Sequence, residues 1–200
     1  MFKADELIQR SVVLIKPDGV ARGIIGELIT RFEKAGFKIV AMKMVWVDKE
    51  LVNKHYPESR TELMKAIGTK TLESYAKYGK DPNEELGTMD PIEIGKMVNK
   101  WNIEFLSSGP VVAMLLEGIH AIESIRMIVG HTIPAVSQPG TIRGDYSIDS
   151  PALANARKRP LRNLVHASGN EEEAKYEVEL WFRKEEIYSY KRADEDVMFG

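Results

Sequence analysis

The 200-residue chain contains no cysteine, which excludes disulfides, thiolate metal sites and cysteine nucleophiles together and fits a cytoplasmic protein. It also lacks a basic excess: 28 Lys and Arg stand against 30 Asp and Glu, a formal net charge of -2, so nothing favours a nucleic-acid backbone as main partner. Long apolar runs are missing. The longest, Val111 to Leu116, is far too short to span a bilayer, and Met1-Phe2-Lys3-Ala4-Asp5-Glu6 holds no apolar stretch of signal type. An unprocessed chain with no membrane partner is expected. No Gly-Lys-Ser or Gly-Lys-Thr occurs, and the spacing of Gly19, Gly23 and Gly26 matches neither the dinucleotide fingerprint nor a Walker A loop. With no Pro/Gly/Ser-rich linker, internal repeat or low-complexity segment, residues 1–200 read as a single domain carrying insertions.

What is present is alternation of apolar runs with helical periodicity. Val12 to Ile15 reads as a buried central strand that leaves through Lys16-Pro17-Asp18-Gly19, which must turn. Ile25, Leu28, Ile29 and Phe32 recur at helical spacing opposite Glu27, Arg31 and Lys34, with Gly36 as the stop. Phe37 to Val47 is a second strand. Leu51 to about Ile67 is helical in pattern, with Tyr56 in register with Val52 and Leu63; core packing is the plain reading of Tyr56, and a functional one stays open. Thr69 to Thr88 is polar and turn-rich. Asp90-Pro91-Ile92-Glu93 then combines an N-cap, a proline at the first helical position and a capping glutamate, opening a helix with the stripe Ile94, Val98, Trp101 and Phe105.

Pro110 to Glu117 is a third, continuously apolar strand, followed by a helix with Ile122, Ile125 and Val129 inward. Arg126 lies near that face, either snorkelling or held for an anion. Gly130 to Gly144 is a long loop carrying Thr132, Pro134, Pro139 and Arg143, and such loops inside compact domains tend to be functional. A second irregular stretch, 149–160, ends in Arg157-Lys158-Arg159, a charge run read as solvated. Tyr176 to Phe182 alternates Val178, Leu180 and Phe182 against Glu177, Glu179 and Trp181, a fourth strand with Glu177 on its polar face. Glu185 to Gly200 is a charged tail with aromatics, expected to pack on a neighbouring subunit or to fray. The order predicts an α+β fold: a ferredoxin-like sandwich, an antiparallel four-stranded sheet covered by helices on one face.

The stretch Arg162-Asn163-Leu164-Val165-His166-Ala167-Ser168-Gly169-Asn170-Glu171 stands apart. A short β-type run ends in a histidine, and Ser168 followed by Glu171 reads as a capping box, so a helix should start directly after His166. Unpaired N–H groups at such an N-terminus would stabilise a phosphoryl group beside the imidazole. A lone histidine satisfying its own hydrogen bonds is the plain alternative.

Taken together, several segments resemble the nucleoside diphosphate kinase family. They are Lys16-Pro17-Asp18-Gly19-Val20 with Arg22-Gly23, Gly36-Phe37, Ala41-Met42-Lys43, His55-Tyr56, Ser108 to Met114, Gly130-His131-Thr132-Ile133-Pro134-Ala135, Pro139 to Asp145, Asn163 with His166, and Leu180-Trp181-Phe182. They run in family order along nearly the whole chain. The resemblance implies ping-pong transfer of the γ-phosphoryl group from nucleoside triphosphates to nucleoside diphosphates through a phosphohistidine, with Mg²⁺ held mainly by nucleotide phosphates and water. It implies His166 as nucleophile and Glu177 as the carboxylate on its other ring nitrogen. Lys16, Arg126 and Arg143 are implied as phosphate-binding cations, Thr132 as a hydroxyl donor to phosphate, and Asn163 as the partner of the sugar hydroxyl. Tyr56 is implied near the phosphate and histidine, and Ser168 as the support of Glu177. Assembly as a homo-hexamer or homo-tetramer follows from the same likeness.

Three departures stand out. Ala167 and Gly169 replace the family's usual Gly and Asp, removing a carboxylate sometimes near the metal. An insertion at about 64–100, roughly thirty residues beyond the common short form, obscures which side chain stacks on the base; Leu63 and Met64 are the candidates. A second insertion, at about 149–160, lengthens a loop at little entropic cost, where Arg157, Lys158 or Arg159 is expected to add a phosphate contact or to alter subunit packing. A non-catalytic scaffold relative and a nucleic-acid module are the competing readings; the latter lacks a basic surface and a strand of stacking aromatics.

Overall fold

The computed structural model describes residues 4–199 of the chain, so Met1 to Lys3, within the stretch read for a signal, and Gly200 at the end of the tail lie outside it. Four strands, β1 (Ile8–Ile15), β2 (Lys38–Val45), β3 (Val111–Ile119) and β4 (Val165–Ala167), form one sheet in the order β2-β3-β1-β4, every pair antiparallel. The helices, in chain order, are α1 (Pro17–Ala21), α2 (Ile25–Lys34), α3 (Lys49–His55), α4 (Thr61–Lys77), α5 (Pro82–Leu86), α6 (Pro91–Leu106), α7 (Ala121–Val129), α8 (Ile142–Tyr146), α9 (Pro151–Ala156), α10 (Glu171–Trp181) and α11 (Glu195–Phe199). This is the ferredoxin-like α+β sandwich.

Helices cover both faces, not one. Val13, Ile15, Met114 and Leu116 pack against Leu28 and Phe32 of α2 and Ile125 and Val129 of α7, whereas Val12, Leu14, Ala113 and Leu115 pack against Val52, Ile103, Leu106 and Trp181 on α3, α6 and α10. That is why the central strand β3 is apolar without alternation. β1 begins at Ile8, earlier than its apolar run suggests, because polar Arg10 sits opposite Glu117 and pairs with it at 2.8 Å.

The expected strand over Tyr176 to Phe182 is the second half of α10, with Phe182 as its C-cap. Ala174, Glu177 and Trp181 are buried at spacings of three and four, a helical face, and Glu171, Glu172 and Glu173 in the first turn complement the helix dipole. The fourth strand is the run containing His166. The capping box at Ser168 and Glu171 is also displaced: the N-cap is Asn170, whose side chain accepts from the Glu173 N–H at 2.8 Å, while the Glu173 carboxylate accepts from the Gly169 N–H at 2.9 Å.

The helix expected from Leu51 to about Ile67 is interrupted. α3 stops at His55 because Pro57 disfavours helical backbone at Tyr56. α4 instead runs on through Lys77, inside the stretch expected to be turns. Its buried face is Met64, Gly68, Thr71 and Tyr75, helical in spacing but largely small or polar, so hydropathy did not mark it. It lies close to α6, whose buried residues are Ile94, Gly95, Asn99, Ile103 and Leu106, a face rotated from the expected stripe. The stretch 149–160 holds α9, capped by Ser150 with Pro151 behind it. The tail packs on its own chain: Tyr188 N–H donates to Val40 O at 2.8 Å, Tyr190 Oη to Ile39 O at 2.9 Å and Arg192 to Phe37 O at 2.9 Å, covering one end of edge strand β2.

Candidate active site

His166 sits in the middle of the short strand β4, opposite Leu14 of β1. Its Nε2 lies 2.8 Å from Glu177 Oε1. An ionised carboxylate can only accept, so Nε2 carries the ring proton and Nδ1 keeps a bare lone pair. Glu177 is one turn and a half into α10 and buried. Its other oxygen accepts from Ser168 Oγ at 2.6 Å, and Ser168 Oγ in turn accepts from the Val12 N–H at 3.0 Å. A hydrogen-bonded chain therefore links the sheet backbone, a wholly buried serine, the carboxylate and the imidazole.

The approach to His166 is a strained turn. Leu164 is buried with φ at 67°, and the Val165 N–H reaches back to Asn163 O at 2.7 Å, the rare γ-turn form. Its surroundings hold it. Leu164 O accepts from the Lys16 N–H at 2.8 Å, and its N–H donates to Asp18 Oδ2 at 3.1 Å. Arg143, buried at the start of α8, donates to the carbonyls of Asn163 at 3.1 Å, Gly130 at 2.9 Å and Val165 at 2.6 Å.

Lys16 follows β1 directly and is 8% exposed. Its Nζ donates to Asn163 Oδ1 at 2.8 Å, and Asn163 Nδ2 donates to Thr132 O at 2.9 Å. Burial, then the Arg143 guanidinium, lowers the Lys16 pKa to about 8, with Asp18 opposing. Burial, then Arg126, lowers Arg143 to about 10, still charged at neutral pH. Two buried cations without ion-pair partners among the described residues leave an anion-seeking locus. The Tyr56 hydroxyl is pushed above the phenol range by burial and by Glu177, so it stays a donor; its ring centroid is 6.3 Å from that of His166.

Arg126 and Thr132 are exposed. Arg126 lines an open cleft of about 700 Å³ with Glu123, His131, Thr141 and Gly169, which His166 and Lys16 do not line. Of the two base-stacking candidates, Met64 is wholly buried while Leu63 is 38% exposed. Arg159 is not turned to a phosphate site: it holds Asp149 through a bidentate pair at 2.6 and 3.0 Å, so part of the charge run staples its loop. Sequence reasoning attached no role to His55, Asn99 or Asp18. Asn99, 1% exposed on α6, donates to Tyr56 O at 3.0 Å, and nothing in the sequence set it apart from Glu93, Lys96, Lys100, Asn102 and Glu104 on the same helix.

Donor atoms of His55, His166 and Glu177 lie within 4.8 Å of one another, but Glu177 already accepts two short hydrogen bonds, from His166 and Ser168, and buried cations stand nearby, so the trio does not read as a metal site. Asp18 is committed as well, to the Gly19 and Leu164 N–H groups. A hard divalent ion, which wants free oxygen ligands, finds no vacant carboxylate at these residues and would be carried by the substrate's phosphates.

The family model for nucleoside diphosphate kinase matches residues 9–67 and 92–187. The chain belongs to the nucleoside diphosphate kinase family. It is 47% identical over 180 residues to the nucleoside diphosphate kinase of Pyrobaculum aerophilum, covering 90% of this chain and 98% of that one. To the enzyme of Pyrococcus furiosus it is 40% identical, covering 93% and 90%. The crystal structure of the Pyrobaculum aerophilum NDP kinase superposes with a TM-score of 0.88 at 45% identity, covering 91% of this chain and all of that one. A Borrelia burgdorferi nucleoside-diphosphate kinase, solved as a transition-state mimic with vanadate and ADP, gives 0.76 at 35% identity, covering 95% and 96%. As a nucleoside diphosphate kinase, the chain is a nucleotide-binding phosphotransferase.

Proposed function

We propose that the chain exchanges γ-phosphoryl groups between nucleoside triphosphates and diphosphates by a ping-pong route through a phosphohistidine on His166 Nδ1, supporting NTP and dNTP synthesis. The observation that carries this is the hydrogen bond from His166 Nε2 to Glu177, which leaves Nδ1 as the free nucleophile. In the first half-reaction Nδ1 attacks the γ-phosphorus, the bond to the bridging oxygen breaks, and the diphosphate leaves. Glu177 stabilises the positive charge that develops on the ring, and Ser168 holds Glu177. In the second, an incoming diphosphate takes the phosphoryl group and restores the imidazole.

Lys16 and Arg143, with Arg126 from the cleft side, neutralise the non-bridging oxygens, where catalysis of phosphoryl transfer mostly resides, and the Thr132 hydroxyl donates to them. Tyr56 donates toward the same oxygens. Asn163 Oδ1 has one lone pair on Lys16 and a second for a sugar hydroxyl. Mg²⁺ is the cofactor, held by nucleotide phosphates and water; it supplies charge neutralisation on the transferred group. The Borrelia burgdorferi relative's vanadate and ADP support a transition state of this kind here.

Residues 1–200 form one domain, with insertions at about 64–100 and 149–160; the unmatched gap in the family model falls within the first. A cytoplasmic location is supported by the lack of cysteine and by the absence, among the described residues, of a helix long and apolar enough to cross a membrane. The oligomer is a homo-hexamer or homo-tetramer, and Met42 and Met44, exposed on β2 at the sheet edge, with Trp46 just after the strand, offer an apolar contact for it.

The decisive experiment is intact mass before and after Mg-ATP, quenched without acid, then a GDP chase, repeated on His166→Ala. One added phosphoryl group per chain, discharged by GDP and absent from the variant, is expected. No adduct on the wild-type chain, with nucleotide still bound, would reject the route.

A further inference from the structure

A second histidine stands against the first. His55 ends α3, and its side chain is fully buried. Its ring meets that of His166 edge-on at 4.5 Å and 81°, and that of Trp181 at 5.6 Å and 87°. Trp181 Nε1, which can only donate, lies 3.3 Å from His55 Nδ1, so Nδ1 is the accepting nitrogen and the ring proton sits on Nε2. Among the described residues, Nε2 has no hydrogen-bond partner. Nδ1 is also 3.6 Å from Glu177 Oε1, the oxygen that accepts from His166. A hydrocarbon of similar volume would fill this place without stranding a buried donor, so packing alone does not account for an imidazole here.

We propose that His55 is a positioning residue for phosphorylation of His166: anchored by the Trp181 N–H, it fixes the His166 ring on Glu177 and leaves that carboxylate undivided. This rests on His166 being the nucleophile. The charged and titratable groups facing it are His166 from β4, Glu177 from α10, Lys16 at the end of β1, Arg60 before α4 and Tyr56 beside it. Burial first, then the neighbouring His166, Lys16 and Arg60, holds the His55 pKa well below the ordinary histidine value. A protonated His55 would turn an N–H on Glu177 and draw charge from His166. The uncharged ring presents a lone pair instead, which repels the carboxylate and leaves it to the nucleophile. The same lone pair takes the Trp181 N–H, locking the ring.

The test is single-turnover phosphorylation by Mg-ATP, quenched without acid, as a function of pH in the wild-type protein, His55→Leu and His55→Asn, with nucleotide Kd measured alongside. In His55→Leu the phosphorylation rate falls about ten- to a hundredfold, as expected for a misplaced reacting group, while Kd stays within about twofold. The pH of half-maximal rate moves toward acid because Glu177 no longer grips the ring, a change that a merely structural residue would not cause. His55→Asn, whose amide oxygen can accept from Trp181, recovers most of the rate. Trp181→Phe removes the anchor and keeps His55, giving the same direction if the His55 variants fold poorly. Wild-type rate and profile in all three variants, or a loss confined to Kd, would overturn the proposal. A wild-type chain that forms no phosphoenzyme would instead overturn the reading on which it rests.

Discussion

Ser168 carries two obligations, one to Glu177 and one to the Val12 N–H. Ser168→Ala strands both, a cost of about 1 to 3 kcal/mol for buried unsatisfied groups, so a lower Tm together with slower phosphorylation is expected; a normal rate at reduced Tm would show that Glu177 keeps its place without the serine. Lys16 gives a pH signature. Its folded pKa of about 8 lies below the unfolded value of 10.5, so the folded state binds the proton more weakly. The resulting destabilisation is full below about pH 8 and is relieved as pH rises toward 10.5. Nucleotide binding has the opposite trend: the charge on Lys16 is lost above about pH 8, and KM for Mg-ATP should climb there. Lys16→Arg, which does not deprotonate in this range, should flatten the climb.

At the scale of elements, the first insertion depends on a close crossing of α4 and α6. A Cβ on Gly68 would collide with the Pro91 carbonyl, and one on Gly95 with the Met64 carbonyl, both rigid backbone. Gly68→Ala should therefore lower stability by about 1 to 3 kcal/mol through overpacking, seen as a lower Tm. An unchanged Tm would mean that the helices separate freely. The second insertion ends in Arg159, which clamps Asp149 while the same carboxylate accepts from the Arg162 N–H at 2.8 Å, one residue from Asn163. Elements with strong local signals were legible in the sequence: the Asp90 cap with Pro91, the stop at Gly36, and the doubly apolar β3. α4 beyond Ile67 was not, because its buried face there uses Gly, Thr and Ser where a neighbouring backbone comes close. α10 was misread because Val178, Leu180 and Phe182 satisfy a period of two in a segment whose buried face follows 3.6.

For the whole molecule, the exposed Met42 and Met44 on β2 and Trp46 just after it predict that Met44→Glu yields smaller species by light scattering, and an unchanged mass would place the subunit contact elsewhere. By itself the sequence determined the family and three of the sheet's four strands, and it singled out His166, Lys16, Arg143 and Asn163 as candidates, because these are carried by local motifs and by periodicity within single segments. Only the tertiary structure decided that helices cover both faces of the sheet, that Arg143 props the turn before His166 through three carbonyls, and that His55 lies between Trp181 and His166. Periodicity records which side of a segment is buried; it is silent on which buried sides meet. The partners of a buried polar atom come from distant parts of the chain, as Val12, Ser168 and Glu177 do, and their pairing is set by the packing of β1, β4 and α10.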